Sequence, residues 1–229
     1  MNRNRVFVSL LSVSLLILGT LPNSVFGQST APIFNRIPAN EKGVEELTRL
    51  LSDPAVRIEE KSNAVDRLGV LARQLYDSNF PPEKLYNPLL GALNPQKDEP
   101  YHHVLRIHIC QALGNFWNLK GGQDVIPALG RRLQDLAEHE EVRIAASRAL
   151  GKFRNQSDQA AQELLGGLDK ELERGPQADN VTVVTATVQG LGALGDKRAF
   201  VPLMKIIKSR FPAGVKKEAQ RSLESIKWD

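Results

Sequence analysis

The chain has 229 residues, 41% hydrophobic and 24% charged, enough to bury a continuous core in one domain or one repeat array. Its formal charge of +4, from 30 Lys or Arg against 26 Asp or Glu, is too small to mark a nucleic-acid binder. A single cysteine, Cys110, excludes an intrachain disulfide.

The first segment has the form of a secretory signal. Arg3 and Arg5 stand at the start with no acid, Val6–Leu18 is an unbroken run of apolar residues and Ser, and Val25 and Gly27 supply small residues ahead of Gln28. A membrane span needs about 20 apolar residues, so this core is short for an anchor, and cleavage after Gly27 is expected. The charge of the remaining chain falls to +2, because the first 27 residues hold two arginines and no acid. No periodicity marks residues 28–40, which read as a flexible lead-in, and the helical domain is expected over 41–229.

From there one pattern recurs. A Leu, usually followed by Gly, closes an amphipathic stretch at Leu68-Gly69, Leu113-Gly114, Leu150-Gly151, Leu191-Gly192 and Leu223-Glu224, in steps of 45, 37, 41 and 32 residues. Four residues before each Leu come Ala64, Ile109, Ala146, Thr187 and Ala219; one before come Arg67, Ala112, Ala149, Gly190 and Ser222. Eight before come Leu105, Val142, Val183 and Val215, with Glu60 as the exception. These positions share one face of a 3.6-residue helix. Seven before the Leu stand Lys61, Arg106, Arg143, Val184 and Lys216, and a cation there can reach over its helix to a carboxylate or carbonyl of the adjacent layer.

Call each such stretch an A helix. A second amphipathic stretch, the B helix, follows each of the first four, over 82–93, 124–136, 158–172 and 198–209. Pro88, Pro127 and Pro202 read as first-turn residues of B helices, and the glycine after each Leu as the end of the A helix. Residues 44–51 form a B helix without its A partner, and 214–228 an A helix without its B. The expected fold is all-α: a right-handed α-solenoid of stacked antiparallel helix pairs, about four full repeats plus terminal half-repeats that serve as caps.

The run from Gly190 to Leu203, GLGALGDKRAFVPL, is very similar to the HEAT-like repeat signature, especially the short HEAT repeats of the phycobiliprotein-lyase type. The stretch from Glu141 to Gly151, EVRIAASRALG, matches its front half, and the copy at Leu68 is the weakest. The resemblance covers roughly residues 44–229. It implies an array that holds another protein or peptide segment along the inner row of B helices.

Motifs that carry chemistry are sparse. His102, His103 and His108 crowd together, but their spacings of five and six splay them on a helix, and His108 reads as a packed histidine with one hydrogen bond. Cys110 reads as a small filler at a half-exposed position. Asn155 and Asn180 open glycosylation sequons. No nucleophile elbow and no phosphate-binding loop occur, and Gly190, Gly192 and Gly195 are explained by the repeat. No cofactor, metal or catalytic residue is expected.

The expected function is therefore an exported, non-catalytic, monomeric protein-protein interaction scaffold. The alternative is an enzyme or enzyme accessory of the phycobilin lyase type, and a HEAT-type nucleic-acid binder ranks below both. Residues 198–229 hold eight Lys or Arg against three acids, making a basic cap on a slightly acidic body. Within it Lys205, Lys208, Lys216, Lys217 and Arg221 are the expected partner-binding residues. No nucleic acid and no membrane span after cleavage are expected.

Overall fold

The computed structural model describes residues 31–76, 78–93, 102–118 and 124–228. The signal segment expected over 1–27 lies outside them. Among the described residues all regular structure is helical: α1 (Ala31–Phe34), α2 (Glu41–Ser52), α3 (Ile58–Gln74), α4 (Glu83–Leu93), α5 (His102–Leu113), α6 (Val125–Gln134), α7 (Glu140–Leu150), α8 (Ser157–Arg174), α9 (Val181–Leu194), α10 (Phe200–Lys208) and α11 (Ala213–Glu224). Two rows result. The A helices α3, α5, α7, α9 and α11 pack each on the next, and the B helices α2, α4, α6, α8 and α10 form the second row against them. The chain is an α-solenoid with one core running its length between the rows.

The recurring Leu forms the spine of that core. Leu68, Leu113, Leu150 and Leu191 are fully buried, and Leu223, which has a neighbouring layer on one side only, is partly exposed. The aliphatics eight residues earlier, Leu105, Val142, Val183 and Val215, are buried with them, while Glu60 stays half-exposed.

The glycine after the Leu marks the helix end at Gly114 and Gly151 but not in the other two copies, and in all four it does something more. Gly69 and Gly192 lie inside α3 and α9, which run on to Gln74 and Leu194, and α9 ends instead at Gly195, in the left-handed conformation with φ 70°. Each of the four glycines faces the small residue just before the next Leu. A Cβ on Gly69 would stand 3.0 Å from the Ala112 Cα, one on Gly114 3.1 Å from the Ala149 Cα, and one on Gly151 2.8 Å from the Gly190 Cα. On Gly192 it would stand 2.6 Å from the Ser222 hydroxyl. Successive A helices therefore touch backbone to backbone.

Cations seven residues before the Leu tie layers together in two copies. Arg106 donates through Nε and Nη2 to Glu138 at 3.0 and 2.7 Å, and Arg132 donates to the same carboxylate at 3.2 Å. Burial alone would raise the Glu138 pKa, but the Arg106 hydrogen bond, the His139 amide and both guanidinium charges hold it below the ordinary carboxylate value. Arg143, itself buried, donates to the Leu133 carbonyl at 2.9 Å and pairs with the buried Glu171. Arg174 and Asn180 also donate to Glu171, at 3.1 and 2.7 Å.

Three local expectations are corrected. Pro127 and Pro202 are the third residues of α6 and α10, but Pro88 is the sixth residue of α4, where it deprives the Lys84 carbonyl of its helical donor. The lead-in is packed at its C-terminal end: Phe34 and Ile37 belong to the core, and Arg67 donates through Nε to the Ile37 carbonyl at 3.2 Å. Asn180 is fully buried and its amide is committed to Glu171 and the Gly175 carbonyl, so its sequon is closed in the folded chain.

The glycine contacts predict opposite signs for one substitution. Gly91, inside α4, has nothing within 4 Å of an added Cβ, so Gly91→Ala should stabilise by about 0.5–1 kcal/mol through helix propensity. Gly151→Ala must push α7 from α9 and should destabilise by about 1–3 kcal/mol. Urea denaturation of the two variants checks this; equal shifts would contradict close contact at Gly151.

Candidate functional site

The exposed face of the A row is built by the repeat positions that do not stack. Five residues before the Leu stand Asn63, His108, Ala145, Ala186 and Glu218; two before stand Asp66, Gln111, Arg148, Gln189 and Arg221; two after stand Val70, Asn115, Lys152, Ala193 and Ser225. Where the first of these columns holds a long side chain, the furrow between A helices is filled. His108 fills it between α3 and α5, its Nδ1 lying 2.8 Å from an Asp66 carboxylate oxygen. Where the column holds Ala, the furrow stays open.

Two cavities follow. One, of about 480 Å³, lies between α5 and α7 over Ile107, Gln111, Ile144 and Ala145. The other, of about 420 Å³, lies between α7 and α9 over Ala186, Gln189, Gly190 and Ala193, with Trp117 and Arg154 at its border. Arg148 of the intervening α7 and Lys152, just past its end, line both, so the two adjoin and together make a trough across three A helices. Trp117, just past α5, is 39% exposed, a large flat apolar surface beside exposed Arg148, Lys152 and Arg154. Among the described residues none of these three cations has a carboxylate partner within ion-pair distance. The chain packed around Lys152, and then the Arg73 guanidinium, hold its pKa below the ordinary lysine value.

A third cavity, of about 890 Å³, lies at the edge where α9 turns into α10. Arg198 crosses it and satisfies its own surroundings, donating to Asp196 Oδ1 at 2.9 Å and to the Asp158 carbonyl at 2.9 Å.

The residues expected to bind a partner lie at the C-terminal end. Lys205 and Lys208 are exposed on α10, Lys217 and Arg221 are exposed on α11, and Lys216 is half-buried. α10 packs on α11, which brings the two groups to one end of the array. Arg221 is paired with Glu218 at 3.2 Å, and none of the five lines the cavities above. The trough was missed because a cavity between helices is signalled by small residues, which read equally well as core.

The histidine and cysteine readings resolve as follows. His103 stacks on His139 with ring centroids 4.3 Å apart, and His139 caps α7 by accepting from the Glu141 amide at 3.3 Å. The side chain of His102 lies outside the described residues. Among the described residues no three His, Cys, Asp or Glu side chains gather as a metal site. Cys110 is fully buried, not half-exposed, and desolvation pushes its thiol up to about 12, so no thiolate is presented to a partner chain. Among the described residues no helix is long and apolar enough to cross a membrane.

His108 offers a direct check. Its hydrogen bond to Asp66 raises its pKa against the opposing effect of burial. The raised value means that the pair stabilises the fold fully below the unfolded histidine pKa, and that this contribution fades as pH rises through the folded value. Proton NMR titration should place His108 above the ordinary histidine value, and Asp66→Asn should lower it; an unmoved titration would show that the pair does not persist in solution.

No match is found among curated proteins. Residues 87–178, from α4 through α8 and including the α5–α7 half of the trough, match the family model of HEAT repeats, a repeat type that generally mediates protein-protein interaction.

Proposed function

We propose that this protein is an exported, non-catalytic scaffold that holds a segment of another protein on its A-row trough. In this reading the array is a monomeric right-handed superhelix of four full helix pairs with a half-pair at each end, released by cleavage after Gly27. The observation that carries the reading is that the two cavities adjoin. Arg148 and Lys152 line both, so one bound segment can touch three layers and collect contacts from each. An exposed tryptophan beside arginines has the composition of a binding hot spot. The charge of +2 after cleavage, with Glu141 at the mouth of the trough, favours a protein partner over a nucleic acid.

The test is comparative capture. Tagged protein recovered from the exported fraction should have the mass of residues 28–229 and should carry a partner. The double substitution Ala145→Gln and Ala186→Gln fills both cavities as His108 fills the furrow before them. It should abolish capture while leaving the helical circular dichroism unchanged. Capture that survives filling would move the interface off the trough, and a chain recovered only from the cytosol would remove export.

A further inference from the structure

The trough has a charge character that narrows what it can hold. Its floor is apolar and small, made by Ile107, Ile144, Ala145, Ala186, Gly190 and Ala193. Its rim carries Arg148, Lys152 and Arg154, all exposed and none matched by a carboxylate among the described residues. Several other arginines are paired: Arg106 and Arg132 with Glu138, Arg143 and Arg174 with Glu171, and Arg198 with Asp158 and Asp196. What sets Arg148, Lys152 and Arg154 apart is that all three line one cavity, beside the exposed Trp117. Lys152 also stands close enough to Arg73 to feel its charge, so positive potential accumulates there and a bound anion would relieve it.

Resting on the reading of this array as a protein scaffold, we propose that the trough receives an extended acidic peptide segment. Carboxylates of that segment pair with Arg148, Lys152 and Arg154, and an apolar side chain between them lies on Trp117 and the Ala186–Gly190 floor. Packed helices stand about 8–10 Å apart, so crossing from α5 to α9 covers roughly 20 Å. An extended chain advances about 3.3 Å per residue, which sets the footprint at about six residues. Side chains alternate between faces of such a segment, so acids can meet the rim while apolar residues meet the floor. A polyanion fits less well. Only three cations are present, the floor offers no partner to phosphates, and Glu141 closes the α5–α7 end with a negative charge. Arginine suits this task because its planar fork binds a carboxylate through two parallel hydrogen bonds.

The experiment selects random 12-residue peptides, displayed on phage, against the full exported protein and measures the Kd of a selected fluorescein-labelled peptide by polarisation. Enriched peptides should carry at least two Asp or Glu and one apolar or aromatic residue within six positions. Raising salt from 50 to 300 mM should weaken the Kd severalfold, because exposed charges are screened. Arg148→Glu with Lys152→Glu should weaken it at least tenfold, and Trp117→Ala by a similar factor; Lys205→Glu with Lys208→Glu should leave it within twofold. If the double reversal unfolds the array, Arg148→Gln with Lys152→Gln takes its place, with a loss of about fivefold or more expected. Selection of neutral or basic peptides, or no selection at all, overturns the inference while leaving the scaffold reading to the capture experiment. Indifference of the acidic peptide to the Arg148 and Lys152 substitutions overturns it too. So does tighter binding of a 12-nucleotide single-stranded DNA probe, which would make the trough a nucleic-acid channel.

Discussion

Every layer of this protein depends on one contact, the near touching of backbones where the glycine after a spine leucine meets the small residue before the next. It fixes how close the A helices come and therefore how far the leucines must reach to fill the space between rows. Both exceptions to the sequence rule fall where the contact has no partner. Glu224 replaces the glycine in the last copy, after which the described chain forms no further A helix. Arg67 replaces the small residue in the first copy, where no A helix packs before α3, and the guanidinium reaches instead to the Ile37 carbonyl of the docked N-terminal segment. Side chains grow back where no neighbouring backbone excludes them.

The buried ion clusters act at right angles to this contact. Arg106 on α5 reaches Glu138 just ahead of α7, in the next layer, while Arg143 on α7 pairs with Glu171 late in α8 of its own layer and reaches back to the Leu133 carbonyl of α6. Replacing a buried pair with apolar residues often costs little, whereas removing one partner leaves an uncompensated buried charge and costs about 3–5 kcal/mol. Such pairs hold register rather than add net stability. Because the Glu138 pKa is lowered in the fold, its contribution is present above the unfolded carboxylate pKa and is lost as pH falls through the folded value. The fourth copy has Val184 where the arginine would stand, and its layer is tied instead by the Ser147–Thr187 hydroxyl contact at 3.0 Å and by Ser222 donating to the Val188 carbonyl at 3.0 Å.

The element order was legible because an amphipathic helix leaves a 3.6-residue signature that tertiary context does not overwrite. The five spine leucines, the two rows and the reach of Arg106 and Arg143 all follow from that signature. What failed to show depends on facts outside the local pattern. Gly69 and Gly192 read as helix ends because glycine is an ordinary C-terminal signal; only the facing residues Ala112 and Ser222 reveal them as contact points. Phe34 and Ile37 show no period because so short a segment completes barely one turn, yet they bury against the first layer. Cys110 reads as half-exposed in a column that also holds Val65, Ser147, Val188 and Gln220. Val65, Ser147 and Val188 are in fact buried like Cys110, and only Gln220, in the last layer, is exposed, so its polar character misleads about the column.

Stacking and recognition use different residues of the same repeat, which is why a binding surface can vary without disturbing the fold. The positions just before, at and after the leucine face the neighbouring helices and are held to small, Leu and Gly. The positions two before and two after it lie on the outer side, and the position five before it lies in the furrow between helices, buried at Ala145 and Ala186; all three vary from layer to layer. Along the array the column two before the leucine passes from Asp66 through Gln111 to Arg148, Gln189 and Arg221, and the column five before it opens from His108 to Ala145 and Ala186 before closing again at Glu218. Small residues and cations coincide only in the middle layers. There the floor opens and the charge is positive at once, while on the α5 side His108 reaches across the furrow to Asp66 of α3 and pairs with it. The trough is thus bounded on the α3 side by a side chain that neutralises and fills, and it opens where that filling stops and the column turns to Ala145 and Ala186.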